Sequence, residues 1–91
     1  MILDNLETID EMLMHVAERF KKVRKSKKIT QQQLALTSNV SYGTIKRFET
    51  TGEISLLSLA KLCDALGIRK EISSLFKTVY YKNIDEVPDN E

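Results

Sequence analysis

The sequence contains few of the residues that mark disulfide-rich or metal-binding proteins. Its 91 residues include one cysteine, one histidine and no tryptophan. A single cysteine, Cys63, cannot form an intramolecular disulfide, which fits a reducing compartment such as the cytoplasm. The histidine, His15, has no cysteine, histidine or acidic residues at metal-ligand spacing around it. We therefore expect no disulfide, no metal site and no cofactor.

Long apolar runs and catalytic motifs are missing as well. No run approaches the roughly 18 apolar residues that a membrane-spanning helix needs, so no membrane association is expected. Residues 1–5 contain no basic stretch followed by an apolar run, and a signal peptide is not predicted. The sequence has no Gly-rich phosphate loop, no Ser/His/Asp set and no pair of carboxylates in an apolar setting. These absences disfavour an enzyme.

The length of the chain suits one small domain. We predict this domain over residues 1–80, followed by a polar, acidic tail over 81–91 that holds the single proline. A domain of this size buries only about 60–65% of its unfolded surface. Its stability should therefore be modest unless a partner adds to it.

The clearest local pattern begins at Thr30. This residue is a good N-cap, and Gln33 follows three residues later, which predicts a capping box at the start of a helix over 31–38. Asn39 stands where the chain must turn sharply. Asparagine tolerates the left-handed backbone conformation better than most residues with a side chain. The pattern predicts a short helix followed by a tight turn.

A second short helix follows the turn. Ser41 is a suitable N-cap for a helix over 42–50, in which Ile45 and Phe48 lie three residues apart on the buried side. Two short helices joined by such a turn form a helix-turn-helix. The second helix of this motif can enter the major groove of DNA.

The whole stretch resembles the phage-repressor and Cro-like helix-turn-helix family, often called the XRE family. The resemblance covers roughly residues 13 to 67. It implies an all-α, five-helix, lambda-repressor-like DNA-binding domain whose partner is double-stranded DNA. The matching residues are Thr30, Gln31, Leu34, Ala35, Val40, Ser41, Ile45, Glu49, Gly52, Ser55 and Leu56.

Three features depart from the family pattern. Asn39 replaces the usual glycine of the turn. Gly43 falls where the family usually presents a polar side chain that reads bases. The pair Thr50-Thr51 makes the step from Glu49 to Gly52 one residue longer than usual.

Apolar residues at helical spacing predict three further helices, over about 8–27, 55–66 and 70–80. Thr8 and Glu11 predict a capping box for the first of them. The last would carry an apolar stripe, although its end could instead be strand-like at Val79-Tyr80-Tyr81. The stripe consists of Ile72, Leu75, Phe76 and Val79.

Charge is unevenly distributed along the chain. The formal net charge is only +1, but residues 1–18 carry five acids and no lysine or arginine. Residues 19–47 carry nine bases and no acid, whereas residues 48–91 carry eight acids and five bases. Most charge runs are simply solvated faces. A basic run over the motif and the end of the preceding helix is better explained by a phosphate-binding surface.

The exposed face of the helix over 42–50 supplies most of the predicted site. Arginine commonly reads guanine, so Arg47 and Tyr42 are predicted to contact base edges, and Thr44 and Lys46 to contact phosphate or the groove wall. Gly43 has no side chain to read with and would let the backbone approach DNA. The resemblance implies that Gln31 contacts a phosphate and braces the recognition helix. The predicted DNA-binding residues are Gln31, Ser41, Tyr42, Gly43, Thr44, Lys46 and Arg47.

Two other positions have expected structural roles. The resemblance implies a salt bridge between Arg24 and Glu49 that ties the first helix to the end of the recognition helix. The alternative is two unpaired surface charges. Cys63 lies at core spacing and is most simply a small buried apolar residue.

Three functions stay open at this point. The sequence favours a transcriptional regulator, most simply a repressor, that binds a near-palindromic operator as a homodimer. The apolar stripe over 72–79 would then form part of the dimer interface or pack on its own domain. The second interpretation is an antitoxin-like module whose main partner is a protein such as a toxin, with DNA binding for autoregulation of its operon. The acidic tail and the apolar fifth helix would then form the contact with the partner. The third, an adaptor that does not bind DNA, is disfavoured by the basic run.

Overall fold

The computed structural model describes residues 6–78, and in this part of the chain the regular secondary structure consists of helices, with no strand. This confirms the all-α fold with five helices. The strand-like alternative at 79–81 and the acidic tail lie outside the described residues. The helices are α1 (Ile9–Ser26), α2 (Gln31–Ser38), α3 (Tyr42–Thr51), α4 (Leu56–Ala65) and α5 (Lys70–Ser73).

Local hydrogen bonds begin the helices where the sequence predicts them. Both capping boxes are present, one between Thr8 and Glu11 and the other between Thr30 and Gln33. Ser55 begins α4 in a simpler way, because its side chain accepts a hydrogen bond from a backbone N–H in the first turn. Each of these caps satisfies a backbone donor that has no partner within its own helix.

The turn between α2 and α3 also follows the prediction. Asn39 ends α2 in the left-handed conformation, with φ 62° and ψ 29°. Immediately after it, the buried Val40 donates its N–H to Oγ of Ser38 over 3.1 Å. The turn therefore has a local hydrogen bond and an apolar anchor, which fix the angle at which α3 leaves α2.

The core lies among α1, α2, α3 and α4. Helix α1 packs against α3, while α2 packs against both α3 and α4. The rings of Phe20 and Phe48 meet edge to face, with centroids 5.2 Å apart. Such a pair contributes about 0.5–1.5 kcal/mol beyond the burial of its area. Ile45 and Phe48 are both buried as predicted, so α3 turns one side inward and leaves the other side free.

The last helix differs from the prediction. A helix was expected over 70–80, but α5 ends at Ser73, and the described residues beyond it form turns. Phe76 has φ 63°, which no residue of a right-handed helix adopts. The physical reason is weak packing: α5 contacts only α4 among the described helices and has no buried residue. A short helix without such packing is marginal in water.

The expected apolar stripe is therefore broken. Because the helix stops, Leu75 and Phe76 do not continue the face that Ile72 begins. Phe76 is 91% exposed, and Leu75 is exposed as well. Ile72 is half-buried in α5, which contacts α4, whereas Leu75 and Phe76 do not pack on the domain. The last member of the stripe, Val79, lies beyond the described residues.

Candidate nucleic-acid interface

The start of α3 is held by two neighbouring hydroxyls. Ser41 Oγ accepts a hydrogen bond from the N–H of Thr44 over 3.1 Å and donates to Thr44 Oγ1 over 2.8 Å. The hydroxyl proton of Thr44 is then free to point outward. Ser41 is exposed and Thr44 is half-buried at this end of the helix, so Thr44 can still donate to an external acceptor such as a phosphate oxygen.

The outer face of α3 presents the remaining predicted residues to solvent. Tyr42, Gly43, Lys46 and Arg47 are all exposed. Nζ of Lys46 lies 5.9 Å from the centre of the Tyr42 ring, which is a cation–π distance. The face therefore brings together an aromatic ring, two cations and a short stretch of bare backbone at Gly43.

Arg47 has a partner that the sequence did not lead us to expect. Its Nη2 atom donates to Oε1 of Glu53, which directly follows Gly52, the C-cap residue of α3. This hydrogen bond, and then the negative charge of Glu53, raise the pKa of Arg47 above its ordinary value. The one signal in the sequence was an acid immediately after Gly52, which spacing alone could not pair with Arg47.

The inner side of α3 is tied to α1 by a buried ion pair. Nε and Nη2 of Arg24 donate to the two carboxylate oxygens of Glu49 over 2.7 and 2.8 Å. The remaining Nη1 atom donates to the carbonyl oxygen of Ile29 over 2.7 Å. The side chains of Arg24 and Glu49 are only 6% and 3% exposed. They are therefore not the unpaired surface charges of the alternative interpretation.

Gln31 extends the same connection to α2. Its Nε2 atom donates to Oε1 of Glu49 over 2.9 Å. One carboxylate thus joins α1, α2 and α3. Within residues 6–78, no buried polar side-chain atom lacks a hydrogen-bond partner. The amide oxygen and second N–H of the half-buried Gln31 are still available to a ligand at the first turn of α2.

The structure redistributes the basic run. Arg24 is buried and paired with Glu49, and Arg47 is paired with Glu53. Helix α2 carries no basic residue at all. At most seven of the nine bases are then available to phosphates, and most of them lie on the second half of α1 and the turn after it. These exposed residues are Arg19, Lys21, Lys22, Lys25, Lys27, Lys28 and Lys46.

Other chemistries find little support in the described part of the chain. Residues 6–78 contain no group of three or more histidine, cysteine, aspartate or glutamate side chains that could hold a metal ion. Burial, and to a smaller extent Glu71, raise the pKa of Cys63. This thiol is buried as expected, and a raised pKa makes it a poor nucleophile. No helix in this part of the chain is both long and apolar enough to cross a bilayer.

Comparison with known families agrees with this geometry. A family model described as helix-turn-helix matches residues 20–72, more than half of the chain. The chain belongs to the XRE-type helix-turn-helix family. No match was found among curated proteins or among solved structures.

Membership of the XRE family indicates a DNA-binding transcription regulator. Domains of this family are regulatory and typically not enzymatic. The matched region contains α2 and α3, the Arg24–Glu49 pair and the seven predicted DNA-binding residues. The first part of α1, before Phe20, lies outside the match.

Proposed function

We propose that this protein is a sequence-specific transcriptional regulator, most simply a repressor, that binds operator DNA with α3 in the major groove. The observation that carries the proposal is the contrast between the two sides of α3. Glu49, on its inner side, is held by Arg24 and Gln31. The outer side is free along its whole first half. A groove-reading helix needs this combination, because base contacts require a fixed backbone and exposed side chains.

The outer side suggests a division of labour. Thr44 and Lys46 contact phosphate or the groove wall, and Gln31 contacts phosphate from the first turn of α2, where backbone N–H groups also attract anions. Tyr42 and Arg47 contact base edges. Phosphate contacts position the protein, whereas base contacts carry sequence information.

Gly43 fits the proposed contact with DNA because it has no side chain. A Cβ atom added at Gly43 would meet nothing within 4 Å, so nothing inside the protein requires glycine here. Glycine is nevertheless a weak helix former. Close approach of the α3 backbone to DNA accounts for a glycine that the protein itself does not need.

A homodimer is part of the proposal. One recognition helix reads a half-site, and a two-fold dimer reads a near-palindrome with half-sites about 34–36 Å apart. The exposed Leu75 and Phe76 offer apolar surface for the contact between subunits. A cytoplasmic location is part of the same proposal.

An antitoxin-like role is the second candidate. It is favoured by exposed apolar side chains at the start of α1 and just before it, namely Leu6, Ile9 and Met12. All three lie before residue 20, where the family match begins. In that case a partner protein such as a toxin binds the module, and DNA binding serves to regulate its own operon.

Selection of bound sequences from a random DNA pool, at stated salt concentrations, tests the main proposal. We expect a near-palindrome, with affinity that falls steeply as salt rises because lysine and arginine displace counterions. Failure to enrich any sequence would contradict sequence-specific binding. A single enriched half-site, bound by a monomer, would contradict the homodimer alone.

A further inference from the structure

We propose that Glu53 is a positioning residue for DNA recognition: it orients Arg47, so that base preference at the pair read by Arg47 depends on Glu53. This inference rests on the proposed function. Glu53 lies outside α3 and was not among the predicted site residues. Its role follows from three contacts around the end of α3.

The first contact is the ion pair itself. Nη2 of Arg47 donates to Oε1 of Glu53, and the two side chains are 68% and 59% exposed. Exposed pairs contribute little to folding stability. Their effect on a long side chain is to restrict its rotamers. A guanidinium that is already oriented loses less freedom when it forms two hydrogen bonds to a base.

The second contact links the backbones of the same two residues. Oγ1 of Thr51 donates to the carbonyl oxygen of Arg47 over 2.7 Å and accepts from the N–H of Glu53 over 3.1 Å. Thr51 belongs to the pair that makes this step one residue longer than the family pattern. The structure places the additional residue within α3, which runs to Thr51. The longer helix thus creates the bridge between Arg47 and Glu53.

The third contact anchors the loop. Gly52 is the C-cap of α3, with φ 84°, and a Cβ atom here would lie 2.8 Å from the backbone carbonyl carbon of Leu13 in α1. Because Gly52 is buried against α1, the loop cannot drift from the body of the domain. The backbone at Glu53 is therefore held in place, which a residue needs if it is to orient another side chain.

Because Glu53 is negatively charged, a role in recognition and a purely structural role predict different effects of its removal on DNA binding. A carboxylate beside DNA repels phosphates, and Glu53 stands within reach of a basic face. If the residue serves recognition, its removal should tighten binding to DNA in general and weaken discrimination at one base pair. A structural role would instead change affinity for all sequences in one direction and lower stability.

The test uses the full chain and the operator obtained by selection. Wild type, E53Q, E53A and R47A are titrated against the operator, single-base variants and unrelated DNA. R47A identifies the base pair. There, E53Q and E53A should lose about twofold to fivefold in discrimination, the range of an exposed ion pair, and bind unrelated DNA about twofold more tightly. The double variant R47A/E53A should discriminate no worse than R47A alone.

D64N is the matched control. Asp64 also forms an exposed pair, with Arg69 at 3.5 Å, but it lies near the end of α4. Removal of this charge should leave discrimination unchanged. Thermal unfolding of E53Q and E53A should match that of wild type, so loss of fold does not explain the result.

Three results would overturn the inference. The first is wild-type discrimination by both E53Q and E53A. The second is an R47A variant that loses affinity equally for every sequence, since Glu53 would then have no base contact to orient. The third is a loss of discrimination in D64N as large as in E53Q. Each of these leaves the proposed function standing, whereas a wild-type protein that selects no sequence contradicts that function itself.

Discussion

Two arginine–glutamate pairs flank α3, and they differ chiefly in burial. Arg24 and Glu49 are almost wholly buried, and the carboxylate of Glu49 also accepts a hydrogen bond from Gln31. The side chains of Arg47 and Glu53 are 68% and 59% exposed. The inner pair cannot exchange its partners for water, whereas the outer pair can do so readily. The same chemistry therefore holds the fold on one side of α3 and is available for recognition on the other.

The largest effect should come from breaking the inner pair. E49A leaves the guanidinium of Arg24 buried without its carboxylate, which typically destabilises a protein by about 3–5 kcal/mol. Chemical denaturation of E49A and E53A measures the contrast, with E53A expected to unfold close to wild type. Equal stability of the two variants would show that burial does not distinguish the pairs.

The glycine between the two acids should have the next largest effect. In G52A the new methyl group meets Leu13 in α1, and alanine must adopt a positive φ. Strain of this kind is expected to cost about 1–3 kcal/mol. G43A is the matched control, because a Cβ at Gly43 meets nothing within 4 Å. We expect G43A to unfold no more easily than wild type, yet to bind operator DNA more weakly.

If G43A binds the operator as well as wild type does, the α3 backbone does not approach DNA closely at that position. If G52A is as stable as G43A, the backbone of α1 moves at Leu13 to accommodate the methyl group, and the loop is not anchored as described. Denaturation and operator titration on the same two samples decide both points.

Loss of the outer arginine should affect recognition and spare the fold. R47A is expected to lose about tenfold in discrimination at one base pair of each half-site, the scale of a bidentate contact to guanine. K46A is the control, and it should weaken binding evenly and reduce the salt dependence. Titration against single-base operator variants measures both. An even loss in R47A would assign base reading to Tyr42 instead.

The smallest effect is expected for Gln31, which donates to the inner pair and is also a proposed phosphate contact. Q31A removes the hydrogen bond to Glu49, with an expected loss of about 1 kcal/mol in the free energy of unfolding. Because phosphate contacts carry no sequence information, its binding to all DNA sequences should fall by a similar factor. A change of base preference in Q31A would contradict the phosphate assignment.

Much of the fold follows from short-range signals. The capping boxes at Thr8 and Thr30 and the left-handed Asn39 depend on atoms within a few residues of one another. Hydrogen bonds between residues so close in the sequence can be predicted from the sequence. The inward positions of Ile45 and Phe48 follow from helical periodicity in the same way. These signals sufficed to predict the helix-turn-helix and which side of α3 is exposed.

Tertiary structure decided the rest. The length of the last helix depended on packing that α5 lacks, which no apolar period reveals. The resemblance predicted the pairing of Arg24 with Glu49, residues 25 positions apart, but its almost complete burial emerged only from the fold. The partner of Arg47 likewise depends on how Gly52 meets α1. Charge counts along the sequence treat these side chains as equal. Their roles differ because the fold removes water from one pair and leaves the other in contact with it.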